Sequence, residues 1–301
     1  ALGPQLVQFA LNGPYWNEQS REDRGGHPRI YFLDNTDPAG IADVCSVVDL
    51  AAAMVISVSK SGGTQETRNN LLVLEGLYKQ AGVDFASHAA AVTMAGSKLD
   101  RRATEAGWRK VFHMAESIGG RTSVTNVVGH VPAALAGIDF HAFLEGAKTM
   151  DAWTRAPSLG DNPAYQLAAA WYVAGEGRGD RNLVVVPYSD RLVLFGRYLQ
   201  QLIMESLGKE HDLDGRTVHQ GLTVYGNKGG TDAHAYIQQL QDGRDDFFLN
   251  FVEVLRDACH YPVEDGLTMG DFLHAFKDGL RAALQSKGRP WIDLVIDDLT
   301  E

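Results

Sequence analysis

Four short stretches of this sequence carry side chains whose types and spacing suit phosphate binding and proton transfer. Ser59-Lys60-Ser61-Gly62-Gly63-Thr64 sets hydroxyls and a cation around paired glycines, directly after an apolar run and before an amphipathic one. A helix starting there would offer unpaired N–H groups and partial positive charge. The glycines would let the backbone approach an anion closely, and Ser59, Lys60, Ser61 and Thr64 would add donors. The spacing is not the GxxxxGK[ST] of a nucleotide P-loop, so a small phosphate ester fits better than a nucleoside triphosphate. The same residues would also make a plain helix cap, and on the loop alone the two readings weigh equally.

Gly119-Gly120-Arg121-Thr122-Ser123 follows another apolar run. An Arg on a glycine-rich turn can hold fixed charge against a developing oxyanion, often the largest catalytic contribution. A surface Arg in a turn is the plainer alternative. Farther on, Gln201 and Glu205 stand four residues apart in Arg191–Leu207, which reads as one helix ending near Gly208, so they share a face. Glu205 lies next to Leu202, Ile203 and Met204, which predicts partial burial, a raised pKa and fitness as a general base. The competing reading is a solvated carboxylate paired with Lys209. The fourth stretch, Tyr225-Gly226-Asn227-Lys228-Gly229-Gly230-Thr231-Asp232-Ala233-His234-Ala235-Tyr236, brings in His234. Taken singly, a histidine is more often structural than catalytic.

Read together and in order, these segments resemble the sugar isomerase (SIS) domain family, and in particular a bacterial branch of the glucose-6-phosphate isomerases. VSKSGGTQET resembles the family's phosphosugar loop, GGRTS its GGR[YF]S segment, QQLIMESLGK its QQ…MES.GK segment, and YGNKGGTDAHAY its GNKG[SG]TDQHAY segment. The ALGPQ start, GHVPAALAGID and KGRPWIDL extend the likeness along the chain. The resemblance implies interconversion of glucose 6-phosphate and fructose 6-phosphate through an enediolate. In that scheme Ser59, Lys60, Ser61 and Thr64 bind phosphate, and Arg121 with Gly120 faces the reacting carbons. Gln201 orients the substrate hydroxyls, Glu205 moves the proton, and His234 opens the ring from across a homodimer interface. No cofactor or metal is implied. Ala233 departs from the Gln usual before the His. The family's GIGGS turn before ALGP and its late GVE.GK segment are not in this chain, so the chain is expected to lie inside a longer product, with the first strand of its first domain outside it. A non-catalytic sugar-phosphate-binding module, or a fragment of a larger multifunctional sugar-phosphate enzyme, are the competing readings.

The elements that must position these groups follow from hydropathy. Arg29–Asn35, Ala53–Ser59, His88–Met94 and Lys110–Met114 read as buried strands, with a helix over Thr64–Ala81 between the second and third. Continuous apolar strands separated by helices predict parallel sheets covered on both faces. Residues 125–173 read as helical, and strands return at Asn182–Pro187, Thr217–Tyr225, Phe247–Leu255 and Trp291–Ile296. The expected fold is therefore α/β, and with the resemblance it becomes two SIS-type three-layer α/β/α domains with mainly parallel sheets, residues 1–145 and 146–301. Arg155–Asn162, with Pro157 and Gly160, carries the strongest loop signal between them.

Composition narrows the field further. A net charge of −11 over 301 residues excludes a broad basic surface for nucleic acid, so any anion must be bound locally. Two widely separated cysteines, Cys45 and Cys259, point to a reduced, cytoplasmic protein without a disulfide framework. No apolar run approaches the roughly 18 residues a membrane helix needs.

Overall fold

The apolar runs become parallel strands, in a computed structural model that describes residues 2–301. The chain divides into two compact units, Gly3–Val7 with Tyr15–Ile138, and Gln8–Pro14 with Asp139–Glu301. The residues of helix α1 (Leu2–Asn12) are divided between the two units, and α2 (Pro38–Val47), capped by the Asp37 carboxylate, lies in the first.

The sheet of the first unit is β1 (Val55–Val58), β2 (Ala89–Thr93) and β3 (Lys110–His113), in that spatial order and all parallel. Between β1 and β2 runs α3 (Gln65–Gln80), and between β2 and β3 runs α4 (Lys98–Glu105). Leu71 of α3 and Leu99 and Ala103 of α4 cover one face, packing on Ala89 and Ala91. Val128 and Val131 of α5 (Val127–Leu135) pack with Val92, Ile56 and Phe112 on the other face. Every residue of β2 is buried, as two-sided coverage requires.

One expected strand is absent. Arg29–Asn35 runs beside no ladder among the described residues and is half-buried at best. Side chains take the place of a neighbouring strand at only a few positions. Asn17 Nδ2 donates to Ile30 O at 2.8 Å, and Asn17 Oδ1 accepts from Ile30 N at 2.8 Å. Asn70 Nδ2 donates to Leu33 O at 3.3 Å. The apolar run is real, but a strand exists only where another backbone pairs with it.

The second unit begins with α6 (Phe140–Thr154) and α7 (Pro163–Ala174). Arg155–Asn162 is the turn between them. The fully buried Asn162 holds it, donating to Thr154 O and Ala156 O and accepting from Tyr165 N. Its main sheet contains β4 (Asn182–Pro187), β7 (Val224–Gly226), β8 (Phe247–Val254) and β11 (Trp291–Ile296), all parallel in the order β11-β8-β4-β7. The central β4 and β8 are buried almost end to end. Trp171 of α7 and Phe195 and Leu199 of α8 (Val193–Leu199) pack on one face. Leu240 of α10 (Ala233–Asp242) and Leu280 and Leu284 of α11 (Met269–Ser286) cover the other.

The stretch expected as one strand over Thr217–Tyr225 is two. β6 (Thr217–Gln220) pairs antiparallel with β5 (Lys209–His211) in an exposed hairpin, and only β7 enters the main sheet. A second small hairpin joins β9 (Pro262–Glu264) to β10 (Leu267–Thr268). Hydropathy shows where apolar residues recur, not which ladder they join.

Candidate active site

In the first unit the chemistry-bearing segments emerge from the C-terminal ends of parallel strands, the edge where α/β sheets bind ligands. Ser59–Thr64 leaves β1 and leads into α3, with Thr64 at the N-cap position. Ser59 is buried, and its Oγ accepts from Gly62 N at 3.1 Å and lies 3.1 Å from Thr64 Oγ1. Ser61 Oγ accepts from Gly63 N at 3.1 Å. These bonds wind the loop tightly while Lys60, Ser61 and Thr64 stay exposed. Gly62 has φ +75°, and a Cβ there would stand 2.4 Å from Leu99 N, so only glycine lets the loop lie against α4.

The turn after β2, which the sequence reading did not single out, braces the loop from behind. Thr93 Oγ1 and Met94 N both donate to Lys60 O, at 3.2 and 3.1 Å, and Lys98 N donates to Ser61 O at 3.2 Å. Its signal was positional: it follows the strand next to the one that carries the loop. The Lys60 ammonium donates to Glu116 O, in the segment between β3 and the glycine pair. The Ser59–Thr64 loop and the segment leading to Arg121 therefore meet at the same sheet edge. Gly120–Thr125 forms a tight helical turn in which the buried Ser123 donates from Oγ to Gly120 O at 2.8 Å. Gly120 is exposed on it and Arg121 half-buried.

In the second unit, the stretch expected as one regular helix has a π turn over Gln200–Met204, between α8 and α9 (Glu205–Leu207). Such turns are common where function constrains a helix, and no residue pattern announced this one. Glu205 N donates to Gln201 O, which keeps the two residues one turn apart. The expected partial burial of Glu205 is not found. Ile203 is buried, but Glu205 is exposed and Met204 is 41% exposed. The apolar neighbours turn toward the core or past it, so sequence adjacency did not bury the carboxylate. Lys209 Nζ donates to Ser206 O at 2.8 Å and Gly208 O at 3.3 Å, capping the end of the helix.

Helix α8 reaches the sheet through a glycine contact. A Cβ on Gly196 would lie 3.0 Å from Gly226 Cα, so two backbones meet where β7 ends. Asn227–Asp232 then carries the chain to His234, exposed in the first turn of α10. Asp232 accepts from Lys228 N at 3.0 Å, and Lys228 Nζ pairs with Asp190 at 2.8 Å. Asp190 and Asp232, which the sequence reading left without a role, thus shape the segment that carries His234. Below it, burial pushes the Tyr188 phenol up to about 12 and that of Tyr236 higher still, so both stay neutral.

The sequence model of the family described as phosphoglucose isomerase matches residues 1–278. Among curated proteins, a glucose-6-phosphate isomerase of Geobacter sulfurreducens is 52% identical over 305 residues, covering 100% of this chain and 56% of the relative. One from a Cyanothece species is also 52% identical, over 304 residues, with the same coverage. The chain thus spans about half the length of the curated relatives it matches. Among solved structures, a glucose-6-phosphate isomerase from Chlamydia trachomatis superposes with a TM-score of 0.85 at 30% identity, over 99% of this chain and 59% of that one. A Thermus thermophilus protein described as hypothetical gives 0.86 at 29% identity, over 100% and 71%.

Proposed function

The chain belongs to the phosphoglucose isomerase family, and from that premise we propose that it serves the interconversion of glucose 6-phosphate and fructose 6-phosphate, a step of glycolysis and gluconeogenesis. The observation that carries this reading is the Ser59–Thr64 loop. It is wound by its own hydroxyls at the end of a parallel strand, opens a helix, and leaves Lys60, Ser61 and Thr64 exposed for a phosphate.

On this reading the phosphate group is held by Ser59, Lys60, Ser61 and Thr64. Glu205 takes the C2 proton of the open-chain aldose and returns it to C1. Exposure in this chain leaves Glu205 accessible to a substrate. Arg121, with the backbone at Gly120, stabilises the enediolate oxygen as charge develops. Gln201, one turn from Glu205, orients the sugar hydroxyls. His234 moves the proton between the ring oxygen and O1, and it acts across the interface of a homodimer. The phosphate loop and Arg121 belong to a first SIS domain, residues 1–145, and Glu205 and His234 to a second, residues 146–301. The protein works in the cytoplasm, in keeping with its two unpaired cysteines; no helix of the described residues is long and apolar enough to cross a membrane.

Glu205→Gln in the full-length protein tests the base. General-base catalysis contributes about 10²–10⁴-fold, so kcat for fructose 6-phosphate should fall by at least about 100-fold while KM stays within a few-fold. An unchanged kcat would remove Glu205 from the mechanism.

A further inference from the structure

Beneath the Ser59–Thr64 loop, on the face of the first unit's sheet covered by α3 and α4, lies a cavity of about 360 Å³. Ser59, Gly62 and Gly63 of the loop form part of its wall, whereas Lys60, Ser61 and Thr64 do not. At its floor is Ser57 of β1, only 6% exposed, whose Oγ has no hydrogen-bond partner among the described residues. Buried hydroxyls almost always find a partner, so an unpaired one in a cavity wall marks a place for a ligand atom. Leu71 and Leu99, each 4% exposed, supply apolar walls.

The rim is cationic. Arg68, Lys98 and Arg102 all line the space. Glu75 neutralises Arg102 at 2.5 Å, whereas Arg68 and Lys98 are exposed and make no ion pair among the described residues. Lys98 is also the first residue of α4, and Gln65, the first of α3, lines the cavity too. In a chain of net charge −11, this gathers uncompensated positive charge around one hollow. The volume lies in the usual range for small-molecule sites, about 300–1,000 Å³.

We infer that this cavity is a second binding site, for a small organic anion whose carboxylate or phosphate sits between Arg68 and Lys98 and whose short apolar body reaches between Leu71 and Leu99 toward Ser57. A bare hydrated ion would leave the leucine walls unused. The cavity shares Ser59 with the proposed phosphate-holding set, but the groups that would grip the anion and its apolar body, Arg68, Lys98, Leu71, Leu99 and Ser57, lie outside that set, so the inference stands or falls separately from the isomerase reading.

The test is calorimetric titration of the full-length protein with phenylacetate, phenyl phosphate and inorganic phosphate. Phenylacetate, which carries no phosphate, should bind one equivalent per chain and more tightly than inorganic phosphate binds outside the loop. Tighter binding of phenyl phosphate than of phenylacetate in a Thr64→Ala background would identify a phosphate ester as the preferred class; the reverse would identify a carboxylate. Arg68→Ala with Lys98→Ala should weaken phenylacetate by about tenfold or more, the size expected for charge-assisted contacts. Ser57→Ala, which removes only the hydroxyl, should weaken it too. The double variant should keep the KM for fructose 6-phosphate. Absence of phenylacetate binding, binding unchanged by the double variant, binding abolished by Thr64→Ala, or a raised KM in the double variant would each overturn the second site.

Discussion

Replacing Gly62 with alanine isolates what the phosphate loop demands of its backbone. Gly62 has φ +75°, and an added Cβ would lie 2.4 Å from Leu99 N and 2.8 Å from Leu99 Cβ. Holding an L-residue in the left-handed region costs about 1–2 kcal/mol. The overlap is with backbone, which cannot rotate away, so the loop or the start of α4 must shift, at about 1–3 kcal/mol for overpacking. Together these predict a loss of about 2–5 kcal/mol. The hydrogen bond from Lys98 N to Ser61 O, 3.2 Å long, ties the two segments and should be the first to break. Gly82 supplies the control. Its φ is +69°, but nothing lies within 4 Å of its would-be Cβ, so Gly82→Ala bears only the conformational cost. Denaturant midpoints and the KM for fructose 6-phosphate should be measured for both variants. Gly62→Ala should be less stable than Gly82→Ala by at least about 1 kcal/mol. Its KM should rise about tenfold or more, since a misplaced loop loses more than one hydrogen bond to the phosphate. Equal stability of the two variants with an unchanged KM would refute both the packing argument and the assignment of the loop.

Arg121→Ala should lower kcat by about 100-fold or more, as expected for loss of a preorganised oxyanion partner, and change the KM for fructose 6-phosphate less; the opposite split would make Arg121 a phosphate ligand. Lys277, 2% exposed, pairs with Glu253. Burial resists ionisation of Glu253, but hydrogen bonds from Lys277 and His274 outweigh it and hold the carboxyl below its ordinary range. A carboxylate with a depressed folded pKa stabilises above its unfolded value, about 4.3, and that contribution is lost as pH falls through the lower folded value. Lys277→Met should therefore cost about 3–5 kcal/mol at pH 7 and flatten the acid limb of the stability profile; a variant with the wild-type midpoint at pH 7 would contradict this account. Asn17→Ala should destabilise by about 1–3 kcal/mol, because the backbone N–H and C=O of Ile30 both lose their side-chain partner. Unchanged stability and unchanged amide exchange at Ile30 in that variant would show that the Asn17 side chain does not hold this segment.

Much of the fold was legible because burial on both faces leaves continuous apolar runs. β2, β4 and β8 needed no tertiary knowledge, since Ala89–Thr93, Asn182–Pro187 and Phe247–Val254 are buried almost throughout. The helix after the phosphate loop was equally plain: Leu71 and Leu74 are buried on one face and Thr64 stands at its N-cap. What failed to show was ladder partnership. Arg29–Asn35 has the hydropathy of a strand without a neighbour, and Thr217–Tyr225 was read through the point where the chain leaves a hairpin and enters a sheet.

The candidate site divides along the same line. Local sequence determined that a loop of hydroxyls and paired glycines follows β1, that a glycine–arginine turn follows β3, and that Gln201 and Glu205 stand one helical turn apart, because each depends on residues only a few positions away. Only the tertiary structure decided that the turn after β2 braces Lys60 and Ser61. It alone decided that Glu205 is exposed despite apolar neighbours, and that Gly196 meets the backbone at Gly226. It also decided that Ser57 looks into a cavity with its hydroxyl unpaired. Burial, pairing and close backbone approach are set by atoms distant in sequence, and hydropathy carries no record of which of them will be neighbours.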